Sequence, residues 1–324
     1  MGSVLIKEIS KLKDFRGIRA LSEPLTLKKF NILVGRNNSG KSTLLDALYL
    51  FPDPDRGSPI RKKVSGDTVK SFLSQRKSGS RSLVYKYDGV AKLIFQADLD
   101  GSWKTWEAHI SPNKPSEIRI EGKKSEKISD YTQTLFFPYD TQFMKKLDDF
   151  LQDQEEKLIK AQIHKEVAKF ISGELDENFT EVFLKKDGWY LRRDDATYIH
   201  IMDIGDGVKK IVRTYMVIRL LKPRLILWDD FDAAMHPSFV KGLLKWLYSG
   251  NWQVVLSTHS LDVLYYLLDI LEDRKNEDEE ENIQVLLLRR VNDILYHKAL
   301  SLEELEDLVD SNTDPRFLAT TIKV

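Results

Sequence analysis

A glycine-rich segment between an apolar run and a helical pattern carries the clearest chemistry in this sequence. Gly35 and the triplet Gly40-Lys41-Ser42 match the spacing G-x-x-x-x-G-K-[ST]. Glycines at these positions let the backbone fold around phosphate, so that successive N–H groups and a helix N-terminus face the anion. The lysine then reaches the β- and γ-phosphates, and the serine hydroxyl can ligate Mg²⁺. The segment predicts a nucleoside triphosphate site, whose candidate residues are Gly35, Asn37, Asn38, Ser39, Gly40, Lys41, Ser42 and Thr43.

Two carboxylates follow a second apolar run, at residues 224–230 (RLILWDD). The run predicts a buried strand, and a carboxylate at its end is the form of a Walker B element. Asp229 is then the candidate to hold Mg²⁺, directly or through water. The next residue, Asp230, is the candidate general base that polarises the attacking water. An acidic turn after a buried strand is common by itself, but downstream of a phosphate loop it favours this interpretation.

Two further features fall where a nucleotide site needs them. His259 follows the apolar run 253–257 and lies 30 residues after Asp229. A lone histidine after a strand is usually structural, but here it can contact the γ-phosphate as donor or acceptor. The Gly205-Asp206-Gly207 turn opens an amphipathic run at 208–221 and predicts a second helix N-terminus suited to phosphate. By itself this signal is weak, because Gly-Asp-Gly also marks ordinary turns.

The remaining periodicities indicate how these residues are positioned. Residues 30–34 predict a buried strand before the loop, and residues 42–50 predict a helix after it. Residues 83–120 alternate apolar and polar side chains, which predicts an antiparallel meander. Residues 142–172 are charged and helical with an apolar stripe, and residues 181–193 predict a hairpin. The chain is therefore of the α/β class.

Composition excludes several other classes of protein. The 324 residues include 50 basic and 50 acidic side chains, so the chain lacks the basic excess of a general polyanion binder. The sequence has no cysteine, which excludes disulfide scaffolds and thiol nucleophiles. No apolar run reaches the ~18–20 residues of a membrane span, and no signal peptide is visible. We expect a cytoplasmic protein without membrane contact.

One segment departs locally from this neutrality. Residues 55–81 carry eight basic and two acidic side chains, a net charge of 8 − 2 = +6. We expect an exposed, mobile loop here, which either contacts nucleic acid phosphates or is a solvated insertion that balances the acidic run 277–281.

The order of the motifs resembles that of the ATP-binding-cassette (ABC) ATPases, most closely their soluble branch of OLD-type, RecF and SMC-like proteins. The residues that carry the resemblance are Asp14 to Gly17, the loop at 35–42, Gly205 to Gly207, Leu227 to Pro237, and Ser257 to Ser260. The resemblance extends from about residue 3 to about residue 300.

The resemblance implies an ABC-type P-loop fold with a mixed central sheet, helices and an antiparallel β subdomain. It implies a single ATPase domain over residues 1–324, with a β insertion at 83–120 and a helical segment at 142–172. The signature, Walker B and histidine-loop lobe then covers 201–300. We expect no appended Toprim nuclease domain, because only 65 residues follow His259.

The resemblance also implies ATP and Mg²⁺ as cofactors, and a homodimer in which ATP lies between two copies. Gly205, Asp206 and Gly207 would contact the γ-phosphate bound by the other copy. Arg16 would lie near the base or ribose. Gln142 is the candidate glutamine that contacts Mg²⁺ or water, and Gln96 is the competing candidate.

Two departures from the family pattern leave the activity open. Asp230 stands where the family has glutamate, which favours slow hydrolysis, and Asp206 stands where transporters have serine. One interpretation is an ATP-driven dimerising switch for DNA repair, chromosome handling or phage defence, with a partner protein or DNA. The alternative is a slow or non-hydrolysing module that holds a partner such as a nuclease or toxin. A transporter or a GTPase is less expected, because the Leu-Ser-Gly-Gly-Gln signature is missing and residues 113–116 lack the aspartate that reads guanine.

Overall fold

A computed structural model describes residues 4–60, 68–125, 134–175, 177–272, 282–311, 313–314 and 322, with the side chains of 141 and 142 excepted. In this part of the chain thirteen strands form one large sheet and three strands form a second sheet. The strands are β1 Ile6–Phe15, β2 Ile18–Leu21, β3 Leu25–Thr26, β4 Phe30–Val34, β5 Ala91–Leu99, β6 Ser102–Ile110, β7 Glu117–Ile120, β8 Lys123–Lys124, β9 Thr134–Phe137, β10 Phe179–Lys185, β11 Gly188–Arg193, β12 Tyr198–His200, β13 Leu225–Trp228, β14 Gln253–Ser257, β15 Ile283–Val291 and β16 Ile294–Leu300.

Helices cover the large sheet and connect its strands. They are α1 Lys41–Tyr49, α2 Val69–Gln75, α3 Thr141–Asp153, α4 Glu155–Lys160, α5 Ile163–Glu174, α6 Asp206–Leu221, α7 Pro237–Ser249, α8 Leu261–Glu272 and α9 Leu302–Asp310. The predicted helical segment at 142–172 thus falls on three successive helices, α3 to α5. None of the described helices is both long and apolar enough to cross a membrane.

The half of the large sheet that matters for the site is parallel. Its neighbouring strands run in the order β15-β4-β14-β13-β9, and each pairs with the next in parallel. Strands β4, β13 and β14 are buried along their whole length, which explains why each is an apolar run without alternation. Because parallel strands share a direction, the segments that leave β4, β13 and β14 begin at the same edge of the sheet.

The other half of the sheet is antiparallel except where β2 pairs with β16 in parallel. Strands β5 to β8 form a meander, and β5 pairs with β1. In β5 the buried and half-buried residues alternate strictly from Ala91 to Leu99, as expected of a strand with one face on the core. The predicted fold class, a mixed sheet with helices and an antiparallel β subdomain, is confirmed.

The basic segment 55–81 differs from the prediction of an exposed, mobile loop. Residues 61–67 lie outside the described part, but the rest is folded and includes α2. The Arg56 side chain is buried, with the residue only 4% exposed. Its guanidinium donates to the carbonyls of Tyr49 and Leu50 at the end of α1, at 2.8 and 3.3 Å. The prediction was wrong here because arginine can satisfy helix-end carbonyls in a buried position. The acidic run 277–281 lies outside the described residues.

Candidate nucleotide-binding site

The glycines of the phosphate loop are required by the backbone and by close packing. Gly35 and Gly40 have φ values of +153° and +106°, which residues other than glycine rarely adopt. A Cβ atom on Gly35 would lie 2.5 Å from the Leu288 carbonyl oxygen. A Cβ atom on Gly40 would lie 2.9 Å from Leu295 Cδ1. Strands β15 and β16 therefore pack directly against the two loop glycines, and α1 begins directly after the loop.

Lys41 lies inside this loop. The residue is 5% exposed, and its ammonium donates to the carbonyls of Gly35 at 2.8 Å and Arg36 at 3.3 Å. The buried Ser39 Oγ makes no hydrogen bond within the described part of the chain. A phosphate group bound by the loop would offer oxygen atoms to both side chains, so the residues present fit a nucleotide.

Ser42 and Asp229 bring two oxygen atoms together beside the loop. Ser42 Oγ donates to Asp229 Oδ1 at 3.1 Å, and Ser257 Oγ donates to the same oxygen at 2.7 Å. Oxygen atoms are the ligands that Mg²⁺ takes, and nucleotide sites supply only one or two of them from the protein. Accordingly, no group of three or more acidic, histidine or cysteine side chains among the described residues could hold a metal alone. The pair fits the Mg²⁺ of a bound nucleotide.

Asp230 and His259 lie next to that pair. Asp230 has a φ of +46°, and its backbone N–H donates to Ser257 Oγ at 2.9 Å. Its Oδ1 atom lies 3.6 Å from His259 Nε2. Burial and the neighbouring Asp229 charge raise the pKa of the Asp230 carboxyl above its ordinary value, although His259 acts in the opposite direction. A carboxylate with a raised pKa is a better proton acceptor from water.

Asp232 has a different environment from Asp230. Thr258 Oγ1 donates to Asp232 Oδ1 at 2.7 Å, so this carboxylate ties the turn after β13 to the turn after β14. The contact gives Asp232 a structural role between the two strand ends.

A network of buried charged side chains lies next to the phosphate loop, with Asp46 at its centre. Asp46 is not among the candidate residues predicted from the sequence. Asp46, on the inner face of α1, is 1% exposed. Its Oδ2 lies 2.9 Å from Arg16 Nε, and its Oδ1 lies 3.0 Å from an amino group of Arg76. The other amino group of Arg76 lies 4.0 Å from Asp229. A carboxylate within the apolar run 44–48 is the sequence signal for Asp46, whereas Arg76 has none.

Arg16 is held by this network. Its guanidinium also donates to the Leu73 carbonyl in α2 at 3.1 Å, and the residue is buried. Burial lowers the pKa of Arg16 in spite of the nearby Asp46 carboxylate. The structure thus places Arg16 between α1 and α2, and its contact with the base or ribose stays a prediction.

The Gly205-Asp206-Gly207 turn, which is the predicted signature turn, lies at the start of α6. Gly207 is buried against the turn after β13, where an added Cβ would lie 3.2 Å from the Ala234 carbonyl oxygen. Gly205 is exposed, and the Asp206 side chain is 79% exposed with its carboxylate 3.0 Å from Lys209 Nζ. The start of α6 therefore presents Gly205 and Asp206 to the surface.

The two candidate glutamines lie on different elements. Gln142 belongs to the first turn of α3, which follows β9, the neighbour of β13. Its side chain lies outside the described part, so its contact with Mg²⁺ stays a prediction. Gln96 lies in the meander, where its amide donates to Thr105 Oγ1 on the adjacent strand at 3.2 Å.

Two models of nucleotide-binding protein families match this chain. The family model of the AAA ATPase domain matches residues 6–170. A second family model, described as an AAA domain, putative AbiEii toxin, Type IV TA system, matches residues 91–264. Among curated proteins, the chain is similar to the DNA replication and repair proteins RecF of Pectobacterium atrosepticum and Haemophilus ducreyi. They are 26% and 23% identical to it over 126 residues. These matches cover 38% of this chain and only 29% of the length of each relative.

Solved structures share the fold over nearly the whole chain. An SMC head bound to the C-terminal winged-helix domain of ScpA has a TM-score of 0.64 at 13% identity, covering 93% of this chain and 99% of that one. The SMC head domain from Thermotoga maritima has a TM-score of 0.55 at 14% identity, covering 92% and 100%. The recombination mediator protein RecF-ATPrS has a TM-score of 0.52 at 14% identity, covering 90% and 97%.

Proposed function

The chain belongs to the AAA ATPase domain family and has the ABC-type fold of the RecF and SMC-like branch, and we propose that it binds ATP with Mg²⁺ and hydrolyses it. One observation carries the proposal. Three adjacent parallel strands, β4, β14 and β13, end at one edge of the sheet. The residues that follow these ends include Lys41 and Ser42 after β4, His259 after β14, and Asp229 and Asp230 after β13. The candidate residues for phosphate, Mg²⁺ and the attacking water therefore lie together, which supports the proposal.

Each residue has a role in the proposed reaction. Backbone N–H groups of residues 35–43 and the Lys41 ammonium bind the phosphates. Ser42 and Asp229 would hold Mg²⁺, with Gln142 as a further ligand, and the ion supplies charge neutralisation on the phosphate oxygens. Asp230 accepts the proton of a water molecule as that water attacks the γ-phosphorus and the bond to the bridging oxygen breaks. His259 orients this carboxylate and the γ-phosphate.

We propose that ATP joins two copies of the chain. The exposed position of Gly205 and Asp206 at a helix N-terminus supports a contact with phosphate bound elsewhere than in the same copy. Asp206 is the first residue of α6 and pairs with Lys209, and α6 has no side-chain N-cap, so Asp206 acts on the helix N-terminus through its charge and would not bind the anion itself. The Asp230→Asn variant, which keeps the size of the side chain but removes the base, is expected to accumulate as a dimer with ATP. Monomer alone under these conditions, measured by light scattering, would contradict the dimer.

The experiment for hydrolysis compares phosphate release by the wild-type chain and by Lys41→Ala. The substitution removes the ammonium that neutralises phosphate charge, so we expect release to fall to background. Lys145→Ala, which removes an exposed lysine on α3, is the control and should match the wild type. Equal, background release by wild type and Lys41→Ala would refute the proposed activity.

A second candidate function is a nucleotide-gated module that turns over slowly and holds a partner protein such as a nuclease or toxin. Asp230 supports it, because aspartate is one methylene shorter than the family's glutamate and its carboxyl lies 3.6 Å from His259. A large gain in phosphate release by Asp230→Glu would favour this slow module. No gain would favour an aspartate that is competent as it stands.

We propose DNA repair, chromosome handling or phage defence as the setting, and the RecF relatives and the toxin-related family model support such a range. A pull-down with the Asp230→Asn variant in the presence of ATP identifies a partner protein. Duplex DNA binding that needs ATP and weakens with salt would support direct action on DNA. Absent or salt-insensitive binding would leave the partner protein as the target.

A further inference from the structure

Lys210 connects α6 to the turn after β13, which carries the proposed base Asp230. It lies in α6, one helical turn after Gly207. Its ammonium donates to the Phe231 carbonyl at 2.7 Å and the Ala233 carbonyl at 3.0 Å, and it lies 3.5 Å from the Asp230 carbonyl. The Lys210 side chain thus contacts three backbone carbonyls of the segment that follows β13.

The turn that Lys210 holds is not a relaxed one. Asp230 and Ala234 have φ values of +46° and +62°, and such left-handed residues cost roughly 1 kcal/mol each unless the surroundings fix them. Gly207 packs against the same turn, since its Cβ position lies 3.2 Å from the Ala234 carbonyl oxygen and 3.3 Å from Met235 Cα. The first two turns of α6 therefore support the turn by close contact and by a charged donor.

The surroundings of Lys210 keep its ammonium in place. The side chain is largely buried, with Nζ 5.4 Å from the centre of the Trp228 ring and the carboxylates of Asp230 and Asp232 nearby. Burial lowers the pKa of Lys210 to about 8, although both carboxylates raise it. The group is still charged near neutral pH, and its hydrogen bonds to carbonyls are of the stronger, charge-assisted kind.

We infer that Lys210 is a positioning residue that fixes the turn 230–235 and thereby aims the Asp230 carboxylate at the attacking water. Since Lys210 moves with α6, it also makes the position of this carboxylate depend on the signature turn at 205–207. Contact of that turn with nucleotide bound by a second copy is then transmitted to the base. The inference rests on the proposed hydrolysis and adds a residue that acts through Asp230.

The test measures kcat and KM for ATP, and nucleotide affinity, in Lys210→Met. Loss of the ammonium frees three carbonyls and lets the turn shift, and a misplacement near 1 Å costs about 100-fold in rate. We expect kcat to fall 10- to 100-fold, while KM and nucleotide affinity stay within about twofold. Lys210→Arg keeps a charged donor and should recover most of the rate. Lys222→Met, an exposed lysine at the other end of α6, is the matched control.

A double variant separates positioning from general damage. If Lys210 acts through Asp230, then Lys210→Met adds no further loss of rate to Asp230→Asn. An additive loss would overturn the inference, as would an unchanged kcat in Lys210→Met. Where Lys210→Met does not fold, Lys210→Gln, which keeps one donor without the charge, decides by the same criteria. Absent phosphate release by the wild type would instead refute the proposed hydrolysis.

Discussion

Replacement of Asp46 by alanine tests the buried network beneath the phosphate loop. The carboxylate lies 2.9 Å from Arg16 and 3.0 Å from Arg76, and the residue is 1% exposed. Removing one partner of a buried ion pair typically costs about 3–5 kcal/mol, because the remaining charge is left uncompensated. Burial raises the pKa of Asp46 in spite of both arginines, so the pairs do not fully offset the loss of hydration. We therefore expect the lower end of that range, about 3 kcal/mol of unfolding free energy.

The assay is urea denaturation followed by tryptophan fluorescence. The control is Asp206→Ala. The Asp206 carboxylate also makes an ion pair, with Lys209, but its side chain is 79% exposed. Exposed pairs contribute about 0–1 kcal/mol, so the control should change stability little. A loss below about 1 kcal/mol for Asp46→Ala, or a loss equal to that of the control, would refute the reasoning that burial makes the Asp46 contacts strong.

Three further predictions follow from single sites. Gly40→Ala should lower nucleotide affinity at least about tenfold, because the residue has a φ of +106° and its Cβ would lie 2.9 Å from Leu295. Gly101→Ala should leave the affinity unchanged, because Gly101 has a φ of +79° but open space around its Cβ position. Lys210 has a pKa of about 8 when folded and an ordinary value of 10.5, so the unfolded chain binds more protons between these pH values. Its contribution to the unfolding free energy should therefore rise from pH 8 to 10.5. Gln253→Met removes four hydrogen bonds to backbone groups, three of them buried, and should cost about 3 kcal/mol or more.

Each of these has a direct check. Titration with a fluorescent nucleotide measures the glycine variants, and equal affinities would contradict the role of Gly40. Denaturation of the wild type and Lys210→Met at pH 8 and pH 10 measures the contribution of Lys210 to the unfolding free energy. If the stability advantage of the wild type over Lys210→Met falls as the pH rises, the burial argument is contradicted. A Gln253→Met chain as stable as the wild type would show that the freed backbone groups find other partners.

Local patterns made the strands and the phosphate loop predictable from sequence. The segment 30–50 contains strand, loop and helix in one continuous stretch, and the two loop glycines have φ values that only their residue type accepts readily. The meander was predictable because the alternation from Ala91 to Leu99 is visible without any partner strand. These features depend on residues close together in the chain.

Contacts across the chain were not predictable in this way. Arg56 belongs to a basic run, and only the fold brings it to the carbonyls that end α1. Arg76 reaches Asp46 from 30 residues away, and Lys210 reaches Ala233 from 23 residues away. Charge composition alone does not distinguish such buried, specific partners from a solvated surface, which is why the prediction of an exposed loop at 55–81 is wrong.

The dependence of phosphate release on Mg²⁺ tests the central claim most directly. Wild type and Asp229→Asn are compared with ATP across a Mg²⁺ titration and with the ion chelated. We predict that release by the wild type requires Mg²⁺, and that Asp229→Asn, which loses the carboxylate 3.1 Å from Ser42 Oγ, needs far more of the ion and turns over more slowly. Release by the wild type that is indifferent to Mg²⁺, or an identical titration in both chains, would contradict a metal-dependent ATPase site at Ser42 and Asp229.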